Sequence, residues 1–202
     1  MYFFKCVVVG VAVSVTCGCD QWLPTLRGGR KQAATALAAE QGSSEFVALK
    51  QAAENGIARA QYELGYVYCY GPGVSQDYVE TVKWYRRAAG QGHAEAQCEL
   101  GLVYTNGEGV PRDYVEALKW YRLAAEQGKA SAQFALGHMY NYGHGVPRDY
   151  AEAYAWFSVA AIGGNEYAVK DRDLIAGELT PTQLSKAQKL ATDLHEKFST
   201  RN

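Results

Sequence analysis

The sequence predicts an all-α fold, an α-α superhelical solenoid of stacked helical hairpins closed by a C-terminal capping helix. Three observations predict it. A block of 36 residues recurs in register at 58–93, 94–129 and 130–165, each block holds two apolar-periodic segments, and a glycine-rich loop separates the two. A single hairpin cannot bury its own apolar face, so repeats of this length stack on one another. Of the 202 residues, 48% are hydrophobic and 20% charged, enough apolar side chain for a sizeable core.

The chain opens with Met1-Tyr-Phe-Phe-Lys5, carrying one cation, and Cys6 to Thr16 follow as a valine-rich apolar run too short to span a bilayer comfortably. That is the layout of a secretory signal peptide over residues 1–18. Thr16-Cys17-Gly18-Cys19-Asp20 comes next. A small residue before a cysteine resembles the bacterial lipobox, and Cys19, preceded by Gly18, is the better candidate for acylation than Cys17. The pattern departs from the lipobox at Thr16, where an aliphatic residue is usual. An ordinary cleaved signal and an uncleaved anchor are the alternatives. Asp20 after the acylated cysteine resembles the signal for retention in the inner membrane, so the expected place is the periplasmic side of a bacterial cell envelope, with secretion as the alternative. Residues 19–31 read as a tether containing Arg27, Arg30 and Lys31, cations that favour anionic headgroups. Residues 32–57 hold an alanine-rich helix closed by Gly42 and then, from Ser44, a degenerate second half of a repeat.

The complete blocks follow. Ala-Arg-Ala-Gln-Tyr-Glu-Leu-Gly-Tyr-Val-Tyr from Ala58 returns as Ala-Glu-Ala-Gln-Cys-Glu-Leu-Gly-Leu-Val-Tyr from Ala94 and Ala-Ser-Ala-Gln-Phe-Ala-Leu-Gly-His-Met-Tyr from Ala130. Ala60, Leu64 and Val67 lie at helical spacing on one face of this first helix, helix A. Gly65, Gly101 and Gly137 stand inside it, where glycine costs up to ~1 kcal/mol relative to alanine. Close approach of the second helix, helix B, is the expected compensation, with Trp84, Trp120 and Trp156 as the residues opposite. The loops Gly71-Pro-Gly73, Gly107-Glu-Gly109 and Gly143-His-Gly145 allow positive φ where the chain leaves helix A. Helix B then opens at Asp77, Asp113 and Asp149, each with a Glu three residues on, an acidic capping box that also sets negative charge at the positive end of the helix dipole. Recurrence at each helix start makes these carboxylate pairs structural rather than an acid and base.

These residues resemble the Sel-one-like repeat family, a relative of the tetratricopeptide repeat, over about half the chain. The resemblance implies superhelices that act as adaptors in protein complexes, often on bacterial envelopes or at host contacts. One secreted branch of the family, with penicillin-binding or β-lactamase assignments, carries paired cysteines within each repeat. Here that pairing is missing, so a cell-wall or β-lactam hydrolase stands only as a weak alternative by family analogy. After Asn165 a fourth helix A begins and the Leu-Gly signal is lost. Thr180-Pro181-Thr182-Gln183 then starts a last helix with the apolar stripe Leu184, Ala187, Ala191, Leu194 and Phe198, within a capping region 166–202. Leu-Thr-Pro-x-Gln before an alanine-rich helix is also a common ending in that family.

Charge and motifs restrict the function. A formal net charge of −1 leaves no basic field for nucleic acid. No serine stands in a Gly-x-Ser-x-Gly or Ser-x-x-Lys setting, and His93, His138, His144 and His195 lack the i,i+4 pairing of a helical zinc site, so neither catalysis, a metal nor a cofactor is expected. Cys69 and Cys98 fall about seven helix positions apart in register, roughly 10 Å of rise, beyond disulfide reach, and are expected as free thiols. The expected partner is a protein or peptide held by a chain that is itself monomeric. It would bind on the concave face, lined by helix A positions 2, 5, 9 and 12: Arg59, Tyr62, Tyr66 and Cys69; Glu95, Cys98, Leu102 and Thr105; Ser131, Phe134, His138 and Asn141. For Tyr62, Cys98 and Phe134, packing between neighbouring A helices is the competing reading.

Overall fold

The structure is a computed structural model that describes residues 43–71 and 74–199. The signal, Cys19, Asp20, the tether and the alanine-rich helix therefore lie outside the described residues. Nine helices and no strand are found among the described residues: α1 Ser44–Glu54, α2 Ala58–Tyr70, α3 Tyr78–Gly90, α4 Ala94–Asn106, α5 Tyr114–Glu126, α6 Ala130–Tyr142, α7 Tyr150–Ile162, α8 Glu166–Glu178 and α9 Pro181–Ser199. Helices α2/α3, α4/α5 and α6/α7 are the A/B hairpins of the three blocks, and each B helix packs on the A helix that follows. Helix α1 meets α2 as a B helix would, and its Phe46, Leu49 and Ala53 are buried there.

The glycine inside each A helix faces helix B, but through a different residue from the one expected. A Cβ built on Gly65 would stand 2.6 Å from Cδ1 of Tyr85, and one on Gly101 would stand 2.8 Å from Cδ1 of Tyr121; Phe157 lies against Gly137. The partner is thus the aromatic residue after the tryptophan. One residue is 100° around a helix, enough to carry Trp84 and Trp156 to other buried positions and leave Trp120 half-buried. Trp84 instead donates from Nε1 to Oε2 of Glu80 at 2.9 Å.

The acidic capping box closes on one side only. Asp77 accepts from the backbone of Val79 and Glu80, Asp113 from Glu116, and Asp149 from Ala151 and Glu152. The return half is absent, because the N–H of Asp77, Asp113 and Asp149 each donates back to the carbonyl of Tyr68, Tyr104 or Tyr140 at the end of helix A. Glu80 and Glu116 are left to hold Lys83 and Lys119 at 2.7 Å. A reciprocal box forms at the last helix, where Thr180 N–H donates to Gln183 Oε1 at 3.0 Å and Gln183 N–H donates to Thr180 Oγ1 at 3.4 Å.

Two of the three A-helix ends adopt the left-handed cap, Gly107 at φ 77° and Gly143 at φ 72°. Gly71 departs from this at φ −67°, ψ 123°. Pro72 follows it in the sequence, and a residue before proline is driven to extended backbone. The turns from each B helix to the next A helix also use glycine, at φ 90° for Gly56 and between 78° and 87° for Gly92, Gly128 and Gly164.

Recurring polar side chains tie successive hairpins together. Buried Gln61, Gln97 and Gln133 each donate to a carbonyl at the end of the preceding B helix, those of Ala53, Ala89 and Ala125. Gln91 and Gln127 in turn donate to Gln61 and Gln97 at 2.7 Å. Arg86 donates to the Tyr104 hydroxyl at 2.6 Å, and Arg122 to that of Tyr140. In the third block these positions are Gly163 and Ser158, so the ties stop where the array stops. Helix α8 ends the array by chemistry as well: at the Leu-Gly positions of an A helix it has Arg172 and Asp173, which pair with each other at 2.7 Å. Helix α9 lies along α7, burying Ala187, Ala191 and Phe198, with Phe198 stacked on Trp156 at 5.9 Å.

A candidate groove between the second and third hairpins

The helix A stripe does not form one continuous open face. Cys69, Cys98, Leu102, Ser131 and Phe134 are all buried, Phe134 to 4% exposure, among the helices they join. For Cys98 and Phe134 this is the packing arrangement: Cys98 Sγ meets Ser131 Oγ at 3.3 Å, and Phe134 lies against Phe157 at 5.6 Å. Both cysteines are free thiols, as their register implied. Tyr62 is half-buried, stacked on Tyr85 at 5.7 Å and on His93 at 4.9 Å, and Tyr66 lies between Tyr62 and Tyr70 at 6.5 and 4.9 Å. Arg59 is exposed and pairs along its own helix with Glu63 at 2.8 Å. Glu95 joins Lys129 at 2.8 Å across the α4–α6 junction. Burial alone would raise the Glu95 pKa, but the Lys129 hydrogen bond and charge outweigh it and hold this carboxyl below its usual range. Asn141 is half-buried on α6.

Five of the twelve residues of the helix A stripe, Leu102, Thr105, Ser131, Phe134 and His138, come together in one groove of about 480 Å³ between α4 and α6. The groove exists because the repeat is imperfect. Tyr66 and Tyr70 of α2 are replaced in register by Leu102 and Asn106 of α4, and Glu99 of α4 by Ala135 of α6. Leu102 and Asn106 remove bulk from the α4 wall and Ala135 from the α6 wall. Two large rings become an isobutyl and a short amide, and the space they would fill is open.

The inner part is apolar, with Leu102, Tyr121, Phe134 and Met139 buried and Ala135 beside them. One wall is a series of rings. His138 stacks on Tyr142 at 5.8 Å, Tyr142 meets His144 at 5.8 Å, and His144 stacks on Tyr114 at 4.5 Å and 7°. His138 also touches Phe134 and Phe157 edge-on at 4.5 and 5.1 Å. Burial depresses its pKa to about 4, so the ring is neutral at ordinary pH although Nε2 stands 3.1 Å from Asp171 Oδ2; burial raises the Asp171 carboxyl as well. Two neutralising shifts from burial outweigh the ion pair that the short distance alone would imply. The rim carries Glu108 and Arg112. These two, with Asn106, Tyr114, Tyr121, Ala135, Met139, Tyr142 and His144, were not singled out from the sequence. The signal for them was the departure from periodicity itself, together with the loop between helices A and B, whose side chains reach the groove mouth. No group of three or more metal-binding side chains is found among the described residues.

An array of A/B hairpins in fixed register, tied by glutamines and ended by a polar A helix, defines the class: an α-hairpin repeat scaffold. The Sel1 repeat family profile matches residues 58–93, 94–129 and 130–165, more than half of the chain, and the chain belongs to that family. Proteins of this family generally act as protein-interaction scaffolds. Among solved structures, a protective antigen present in uropathogenic Escherichia coli strains and displaying an SLR fold is 32% identical, with a TM-score of 0.74. The match covers 90% of this chain and 41% of the antigen, so the chain spans well under half of that relative. A Sel1 repeat protein from Oxalobacter formigenes is 38% identical with a TM-score of 0.59, over 65% of this chain and 98% of the other. No curated protein matches the chain.

Proposed function

We propose that the protein is an adaptor of the bacterial cell envelope that holds a protein partner by a peptide segment seated between α4 and α6. The single observation behind this reading is the groove itself, opened by Leu102, Asn106 and Ala135 where the neighbouring repeat has bulk, and walled by rings whose large contact area suits interface anchors. A photoreactive residue in place of Ala135 tests it directly. It should cross-link the partner in intact cells, and the same residue in place of Val115, exposed on the outer helix α5, should not. Cross-linking from position 115 with none from 135 would move the binding surface to the outer face.

The envelope location rests on the first twenty residues, with Cys19 as the lipid-bearing residue. Incorporation of a fatty-acid analogue is expected to be lost in Cys19→Ala and retained in Cys17→Ala. Full labelling of Cys19→Ala would remove the lipid anchor. A secreted binder that contacts host proteins is the second reading, favoured by the likeness to a protective antigen.

A further inference from the structure

We infer that the groove between α4 and α6 receives an aromatic side chain of the partner together with an adjacent carboxylate, so that the recognised segment is an aromatic residue next to Asp or Glu. This rests on the groove being the binding site.

The polar groups of the lining argue against a strongly polar occupant such as a sugar chain. Thr105 Oγ1 donates to the Gly101 carbonyl at 2.9 Å, Asn106 donates to Glu108 at 3.2 Å, and Ser131 Oγ is engaged with Cys98. Over the apolar floor of Leu102, Phe134, Ala135 and Met139, a hydroxyl-rich ligand would give up hydrogen bonds to water that no floor side chain replaces. A ring would not. Below the rim it meets Leu102, Phe134, Ala135 and Met139, an apolar floor with a polarizable thioether of the kind that packs well on aromatic edges. Beside it stand the rings of Tyr142 and His144, which offer edge-to-face or offset contacts, and Tyr142 is 54% exposed.

Charge at the mouth supplies the second element. The guanidinium of Arg112 is exposed, 5.9 Å from the Tyr114 ring and 3.5 Å from its hydroxyl, a contact at the outer limit of a hydrogen bond. Glu108 on the same rim accepts from Asn106 and stays anionic, so an incoming carboxylate is directed to the guanidinium. His138 adds no positive charge, since burial keeps it neutral. Arg112 is the Lys/Arg cation of the lining, and its planar fork suits a carboxylate.

The test is to pan a randomised heptapeptide library on the full chain and on three variants. Leu102→Tyr with Asn106→Tyr fills the groove with the residues of the first repeat, Ala135→Glu fills it with that of the second, and Arg112→Glu reverses the rim charge. Peptides enriched on the parent protein should pair Phe, Tyr or Trp with a neighbouring Asp or Glu. They should be lost on a filled variant that keeps its helical melting, and on Arg112→Glu the preferred neighbour should become Lys or Arg, with about fivefold change in relative affinity for a rim charge pair. Enriched peptides that vanish on the filled variants but lack the acidic neighbour and ignore Arg112→Glu would overturn the inference and leave the groove as the site. Peptides that bind a folded, filled variant as well as the parent would overturn the groove reading. Absence of any enriched peptide counts against the inference, since a short segment is all that it requires.

Discussion

Replacing Gly101 with alanine sets two effects of opposite sign against each other. Alanine in a helix interior is favoured over glycine by ~1 kcal/mol. At Gly101, however, the added Cβ would lie 2.8 Å from both Cδ1 and Cε1 of Tyr121, a ring that is itself buried to 4% exposure and held between α4 and α5. Relief requires the ring or the whole helix to move, and overpacking of this kind costs typically 1–3 kcal/mol. The net expectation is a loss of up to ~2 kcal/mol, or roughly 2–4 °C of melting temperature for each kcal/mol in a chain of this size. Gly177 provides the control on α8: a Cβ there meets nothing within 4 Å, so Gly177→Ala should raise the melting temperature. Thermal unfolding followed by helical circular dichroism reads both. If Gly101→Ala stabilises the protein as much as Gly177→Ala does, Tyr121 does not lie against that glycine and the two helices of the hairpin meet through other residues.

Two further outcomes follow from the packing and the electrostatics. Tyr121→Ala, which removes a buried ring beside Gly101, should cost ~3–5 kcal/mol, and Trp120→Ala, at a half-buried position, clearly less; equal losses in thermal unfolding would contradict the assignment of Tyr121 as the glycine's partner. His138 should titrate near pH 4 when its ring protons are followed by NMR; a midpoint near the ordinary 6.5 would show that the ring is solvated. Because the folded pKa lies below the unfolded one, its contribution is intact above pH 6.5. It weakens as pH falls toward 4, where the unfolded chain binds the proton first.

Much of the fold was legible because each local signal recurred three times. The Ala-x-Ala-Gln start, the Leu-Gly pair, the Asp before helix B and the loop glycines repeat in phase, and the helix bounds follow from them. The Trp-to-Tyr misplacement shows the limit. Two adjacent aromatics recur together in every block, so periodicity alone does not say which of them points at Gly101; the 100° between neighbours is settled by the packing of the hairpin. The site was harder to read for the opposite reason. A stripe drawn from helix A numbering includes Phe134 and Cys98, which adjoining hairpins bury, and omits Arg112 and His144, which the loops carry to the groove mouth. Leu102, a member of the stripe, and Asn106, outside it, are informative as smaller residues where the first repeat has tyrosines.

The most direct measurement of the central claim is partner capture by the protein in which Leu102→Tyr and Asn106→Tyr restore the residues of the first repeat. Binding should fall at least tenfold while helicity and melting stay close to the parent, because the same side chains are accommodated one hairpin earlier. Undiminished binding by that folded variant would show that the groove between α4 and α6 is not where the partner sits.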